Sequence, residues 1–164
     1  MKRLILMRHA KSDWSYIAAS DHEHTLNARG IRSAKAMGLW LREHGLAPDY
    51  VLCSDAARTV ETLGLLDLGT VQATLTRTLY LAEPDMMLDQ IQKRTEETVL
   101  FLGHNPGIGA LAQMLVTDAP DHPDFYSYPT CATLVAEFDI AGWHDLRSGT
   151  GDVLQFIVPR QLTE

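Results

Sequence analysis

The stretch TVLFLGHNPGIGALAQMLV, residues 98–116, decides the fold. Its opening, TVLFLG, is a continuous apolar run, β-branched at the start, which is the pattern of a strand covered on both faces. Beyond it, apolar residues recur at helical spacing behind Pro106, a residue suited to a helix's first turn. Gly103, His104 and Asn105 stand between the two. A buried strand running straight into a helix is half of a βαβ unit, so a mainly parallel sheet is expected.

The same alternation extends outward in both directions. RLILM (3–7) reads as a buried strand that ends in Arg8-His9. A polar loop follows over 10–26. ARGIRSAKAMGLWLREHG (28–45) places Ile31, Ala34, Met37 or Gly38, and Leu41 on one helical face; Asn27 can cap it, and Gly45 with Pro48 closes it. YVLC (50–53) is a second short strand, and SDAARTVETLGLL (54–66) a helix capped by Ser54 or Asp55. A weak strand near 73–80 precedes a helix beginning around Pro84. The tail differs. CATLVAEF (131–138) and VLQFIV (153–158) have no helix between them and read as an antiparallel pair at the sheet's edge. Residues 117–130 hold three prolines and read as a surface loop, so the whole chain, 1–164, is expected to be one domain.

Composition narrows the function. The chain is 46% hydrophobic and 21% charged, which is ordinary for a globular protein. Its net charge of −7 disfavours nucleic-acid binding, which needs a basic face. No segment approaches transmembrane length, and the apolar run behind Lys2-Arg3 is too short for a signal peptide. Cys53 and Cys131 make no disulfide framework, and a cytoplasmic location is expected.

Three of the expected strands end in polar residues: Arg8-His9, then Ser54 with Arg58 shortly after, then His104-Asn105. Parallel strands put their carboxyl ends on one edge, where ligands bind. Taken singly, Arg8 reads as a solvated cation, His9 as an exposed imidazole, Arg58 as a partner for Glu61, and His104 as a turn residue. Converging on one edge, they read better as a pocket for a tetrahedral oxyanion. A neutral imidazole can attack phosphorus there, and neighbouring cations favour its neutral form. The design requires no metal. A cysteine phosphatase is disfavoured because Cys53 to Arg58 is one residue too short for its phosphate loop. A metallohydrolase is disfavoured because no HExxH spacing occurs and His22 and His24 lie in a loop without identifiable partners. A non-catalytic phosphate-binding module would use the same cations, and His9 is what discriminates.

RHAKS (8–12), LNARG (26–30), CSDAARTVET (53–62) and GHNPG (103–107), in this order and with PRQL at 159–162, resemble the histidine phosphatase superfamily, the phosphoglycerate mutase-like fold, and within it the short SixA-type phosphohistidine phosphatases. The resemblance implies a three-layer α/β/α sandwich around a mixed, mainly parallel six-stranded sheet. It implies His9 as the nucleophile, Arg8, Arg58 and His104 as the phosphate pocket with Asn105 beside them, and no cofactor. The implied substrate is a phosphorylated protein or a small phosphoester. Where the family usually has Arg-Pro before LNARG, this chain has His24-Thr25. Glu83 and Asp85 are candidates for a general acid, or simply acidic residues complementing a helix start. Lys11, Ser12 and Trp14 either reach the pocket or only shape its loop.

Overall fold

The computed structural model describes residues Met1–Glu164. Six strands form one sheet: β1 (Lys2–Arg8), β2 (Tyr50–Ser54), β3 (Gln72–Thr76), β4 (Thr98–Gly103), β5 (Thr133–Phe138) and β6 (Asp152–Ile157), in the order β3-β2-β4-β1-β5-β6. The first four are mutually parallel, while β5 runs antiparallel to β1 and β6 antiparallel to β5. The tail pair thus lies at one end of the sheet with β6 as the edge, and β5 is an inner strand.

Helices cover both faces, because alternate strand residues point to opposite sides. Ile5, Met7, Val51, Cys53, Leu100 and Leu102 face α1 (Ala28–Glu43) and α2 (Ala57–Leu66), which add Met37, Leu41 and Leu66. Leu4, Leu6, Leu52, Val99 and Phe101 face α3 (Pro84–Gln92) and α4 (Gly107–Leu115), which add Ile91, Ile108 and Leu111. The result is the expected three-layer sandwich. Each fully buried aliphatic side chain contributes about 1.5–3 kcal/mol, so both layers are needed to cover the sheet. A short α5 (Arg160–Thr163) packs against α1. No helix is long and apolar enough to cross a membrane.

Some local features differ from expectation. The weak strand stops at Thr76, and a 3₁₀ turn, Arg77–Leu79, follows. It is the sheet's other edge and mostly solvated, so it carries little apolar signal. Neither Ser54 nor Asp55 caps α2; the N-cap is Ala56. Ser54 still belongs to β2, and its hydroxyl accepts from the Ala56 N–H. The loop over 10–26 contains a 3₁₀ turn, Asp21–Glu23, and an antiparallel bridge from Ser12 to Leu26. Residues 117–130 are not only surface, for Phe125 and Tyr128 are fully buried. Their rings join Phe156 in edge-to-face contacts, and the Tyr128 hydroxyl donates to the Leu6 carbonyl.

Candidate active site

Strand register assembles the site. Arg8 pairs with Gly103 across β1 and β4, so His9 and His104 leave the sheet side by side, their ring centroids 5.3 Å apart. Cys53 pairs with Leu102, which carries Ser54 to the same level; its Oγ lies 2.8 Å from His104 Nε2. An open cleft of about 190 Å³ at this edge is lined by Arg8, His9, Arg58, His104 and Asn105. Lys11, Ser12, Trp14, Leu81 and Thr130 complete its walls.

His9 is held in one tautomer. Its Nδ1 lies 2.7 Å from the Ala10 carbonyl, which can only accept, so Nδ1 bears the proton and Nε2 keeps its lone pair. Burial, with the charges of Arg8 and Arg58, lowers its pKa to about 4, although the bond to Ala10 acts the other way. The loop is pinned from α2: Thr62 Oγ1 accepts from the Ala10 N–H at 3.0 Å and donates to the Arg58 carbonyl. Burial, then His9 and Arg58, lowers His104 further, to about 3. His104 Nδ1 is buried without a partner in the chain, as polar atoms at functional sites sometimes are.

The two guanidinium groups have different supports. Arg8 Nη1 donates to the Tyr128 carbonyl at 3.2 Å, and burial with the Arg58 charge lowers its pKa. Arg58 donates to both the carbonyl and the carboxylate of Asp21, at 2.8 and 3.1 Å. The Tyr80 hydroxyl also donates to that carboxylate, and the Tyr80 ring meets His104 edge-on. Burial alone would raise the Asp21 carboxyl, but the hydrogen bonds from Tyr80 and Arg58 outweigh it and hold it below the usual range. Asn105 bonds only backbone: its amide nitrogen donates to the Ser127 and Tyr128 carbonyls, and its oxygen accepts from Gly109. It therefore anchors the 117–130 segment to the start of α4.

Glu83 and Asp85 do not line this cleft. Glu83 borders a neighbouring groove with Pro84 and Pro106, and Asp85 is exposed in the first turn of α3. Ser12 is buried, and its Oγ accepts from Trp14 Nε1 at 2.8 Å, while Lys11 is exposed on the wall. Trp14 stacks on His24 at 3.7 Å. His24 in turn donates from Nδ1 to the Asp13 carbonyl, so it supports the rim and does not line the cleft. Cys53 and Cys131 are buried, and burial pushes both thiols up to about 12. No three His, Cys, Asp or Glu side chains converge as metal ligands.

Sequence reasoning missed Asp21, Tyr80 and the Tyr128 carbonyl. Asp21 opens one 3₁₀ turn and Tyr80 directly follows the other, where no periodicity marks a face. Thr62 was within reach, because four residues after Arg58 puts it on the same side of α2. Of the four non-glycine residues with left-handed backbone, Leu81 lines the cleft, the Tyr128 carbonyl accepts from Arg8, and the Cys131 N–H donates to the His9 carbonyl. Such conformations cost about 1–3 kcal/mol each and gather at functional sites.

The arrangement can hold a tetrahedral oxyanion between two guanidinium groups, with an unprotonated imidazole nitrogen in the same cleft. The sequence pattern of the histidine phosphatase superfamily (branch 1) matches residues 4–88. An uncharacterized protein of Mycobacterium leprae is 34% identical over 166 residues, covering 94% of this chain and 100% of the relative. A 2,3-bisphosphoglycerate-dependent phosphoglycerate mutase of Xanthobacter autotrophicus is 33% identical over 86 residues, 50% of this chain and 42% of that protein. Among solved structures, SixA from Nakamurella multipartitia superposes with a TM-score of 0.84 at 30% identity, covering 96% of both chains. The chain belongs to the histidine phosphatase superfamily, in its SixA-type branch, and is a phosphatase of that kind.

Proposed function

We propose that the chain, as one histidine phosphatase domain over residues 1–164, removes the phosphoryl group from phosphohistidine on a protein in the cytoplasm. His9 Nε2 attacks phosphorus while the bond from phosphorus to the substrate imidazole breaks, and that imidazole takes up a proton. Arg8 and Arg58 hold the phosphoryl oxygens, and His104 stabilises their charge in the transition state. Water then attacks the phosphorus of phospho-His9, the P–N bond breaks, and inorganic phosphate leaves with His9 neutral again. The observation that carries this reading is the locked tautomer of His9, with Nε2 unbonded in a cleft shared with two guanidinium groups.

Three features support a protein phosphohistidine over a small phosphoester. Imidazole departs more readily than an alkoxide, so proton donation matters less. Neither Glu83 nor Asp85 lines the cleft. Trp14, 58% exposed on the rim and fixed by Ser12 and His24, offers a flat surface to a planar leaving group. Two buried free thiols fit a reducing compartment.

The test is to incubate the protein with a phosphohistidine-bearing protein, quench in alkali, and look for acid-labile phosphate on His9. His9→Ala is expected to carry none and to lose turnover by about three orders of magnitude or more. Across phosphohistidine, phosphotyrosine and sugar phosphates, kcat/KM is expected to be highest for phosphohistidine. Phosphate binding without label on His9 would identify a binding module; faster turnover of sugar phosphates would overturn the substrate assignment.

A further inference from the structure

A second, smaller cavity of about 60 Å³ adjoins the cleft, and Thr130 lines both. Arg29 and Ser33 of α1 form one side, and Val158, Pro159 and Arg160 form the other. Two arginines from opposite ends of the sequence therefore border one small space. Only Arg160 has a carboxylate partner, Asp124. Arg29 is exposed and pairs with no acidic side chain, in a first helical turn that contains no acidic residue. A cation there works against the helix dipole, so local helix stability does not explain it.

Ser33 adds an independent observation. The residue is 6% exposed, and its hydroxyl, which makes no hydrogen bond within the chain, is open to solvent where it meets the cavity. A serine inside a helix commonly bonds back to the carbonyl one turn earlier. Here the residue lines the cavity instead. A hydroxyl free of chain partners, open to a cavity bordered by two arginines, is a donor available to an oxyanion.

We propose that the cavity bordered by Arg29, Ser33 and Arg160 is a second oxyanion site, which binds a carboxylate or phosphate group of the substrate beside the phosphoryl group held in the cleft. The substrate role rests on the phosphatase reading of that cleft. For a phosphohistidine protein, the second group is an acidic side chain close to the phosphohistidine. Thr130, as the shared wall, sets the separation between the two anions.

Two measurements decide it. Calorimetric titration with inorganic phosphate is expected to find two sites on the wild-type protein and one on Arg29→Ala or Ser33→Ala, with Arg29→Lys keeping both. Circular dichroism checks that each variant is folded. One site on the wild type, or two on both alanine variants, overturns the proposal. In the kinetic arm, phosphohistidine peptides carrying a nearby Asp are compared with the same peptides carrying Asn. The Asp peptide is expected to have a KM about tenfold lower, an advantage that Arg29→Ala removes. Two phosphate sites without that preference would mean the cavity takes a free anion, and the substrate role would fall. If no peptide is hydrolysed at all, the phosphohistidine reading fails, while the titration still decides whether the second site exists.

Discussion

At the scale of single residues, His9 and His104 are the informative pair. Burial is the largest cause that lowers each, to about 4 and about 3. Both therefore stay neutral where a free imidazole, titrating near 6.5, would take up a proton. Corrected for ionisation of the substrate's own phosphoryl group, kcat/KM is expected to hold level from pH 7 to pH 6 and to fall only as the pH nears 4. A pH–rate profile breaking near 6.5 would contradict this. Cys53 and Cys131 give a complementary expectation. With buried thiols pushed up to about 12, iodoacetamide at pH 8 is expected to leave turnover intact. Activity lost with the labelling of Cys53 would bring back a cysteine mechanism.

At the scale of elements, the LNARG segment shows why a motif reads as it does. Asn27 Oδ1 accepts from the Gly30 N–H at 2.8 Å, and the Asn27 N–H donates to the Lys11 carbonyl. A Cβ on Gly30 would lie 2.1 Å from that same Lys11 oxygen, so α1 sits directly on the loop behind His9. Gly30→Ala is expected to cost about 2–4 kcal/mol, read as a lower Tm, and to reduce kcat by moving that loop. Tyr128→Phe removes the donor to the buried Leu6 carbonyl, for a loss of about 1–2 kcal/mol in a denaturant melt. These elements were not equally legible. The Asn27 cap, the apolar face of α1 and the run of β4 follow from periodicity and capping chemistry. The inward turn of Phe125 and Tyr128 does not, because the flanking prolines and acidic residues carry no period and Tyr126 beside them is exposed.

At the scale of the whole molecule, the buried histidines couple the site to stability. Their pKa values lie below those of the unfolded chain, so as pH falls below about 6.5 the unfolded chain binds protons first. Stability is present in full above that pH and is lost progressively down to about 4 for His9 and about 3 for His104. Tm is expected to drop between pH 7 and pH 5, and His104→Gln to flatten the slope. The same slope in both proteins would count against the linkage. The local sequence determined the strands, most helices and which four residues of RHA, AART and GHN meet in one cleft. It could do so because hydrophobic period and strand-end chemistry are local, and a parallel sheet sends its carboxyl ends to one edge. Only the tertiary structure decided that Asp21 and Tyr80 flank Arg58, that Ser12 and His24 fix Trp14, and that Arg29 and Arg160 share a cavity. Those pairings join 3₁₀ turns, loops and opposite ends of the chain, where sequence separation carries no information about distance.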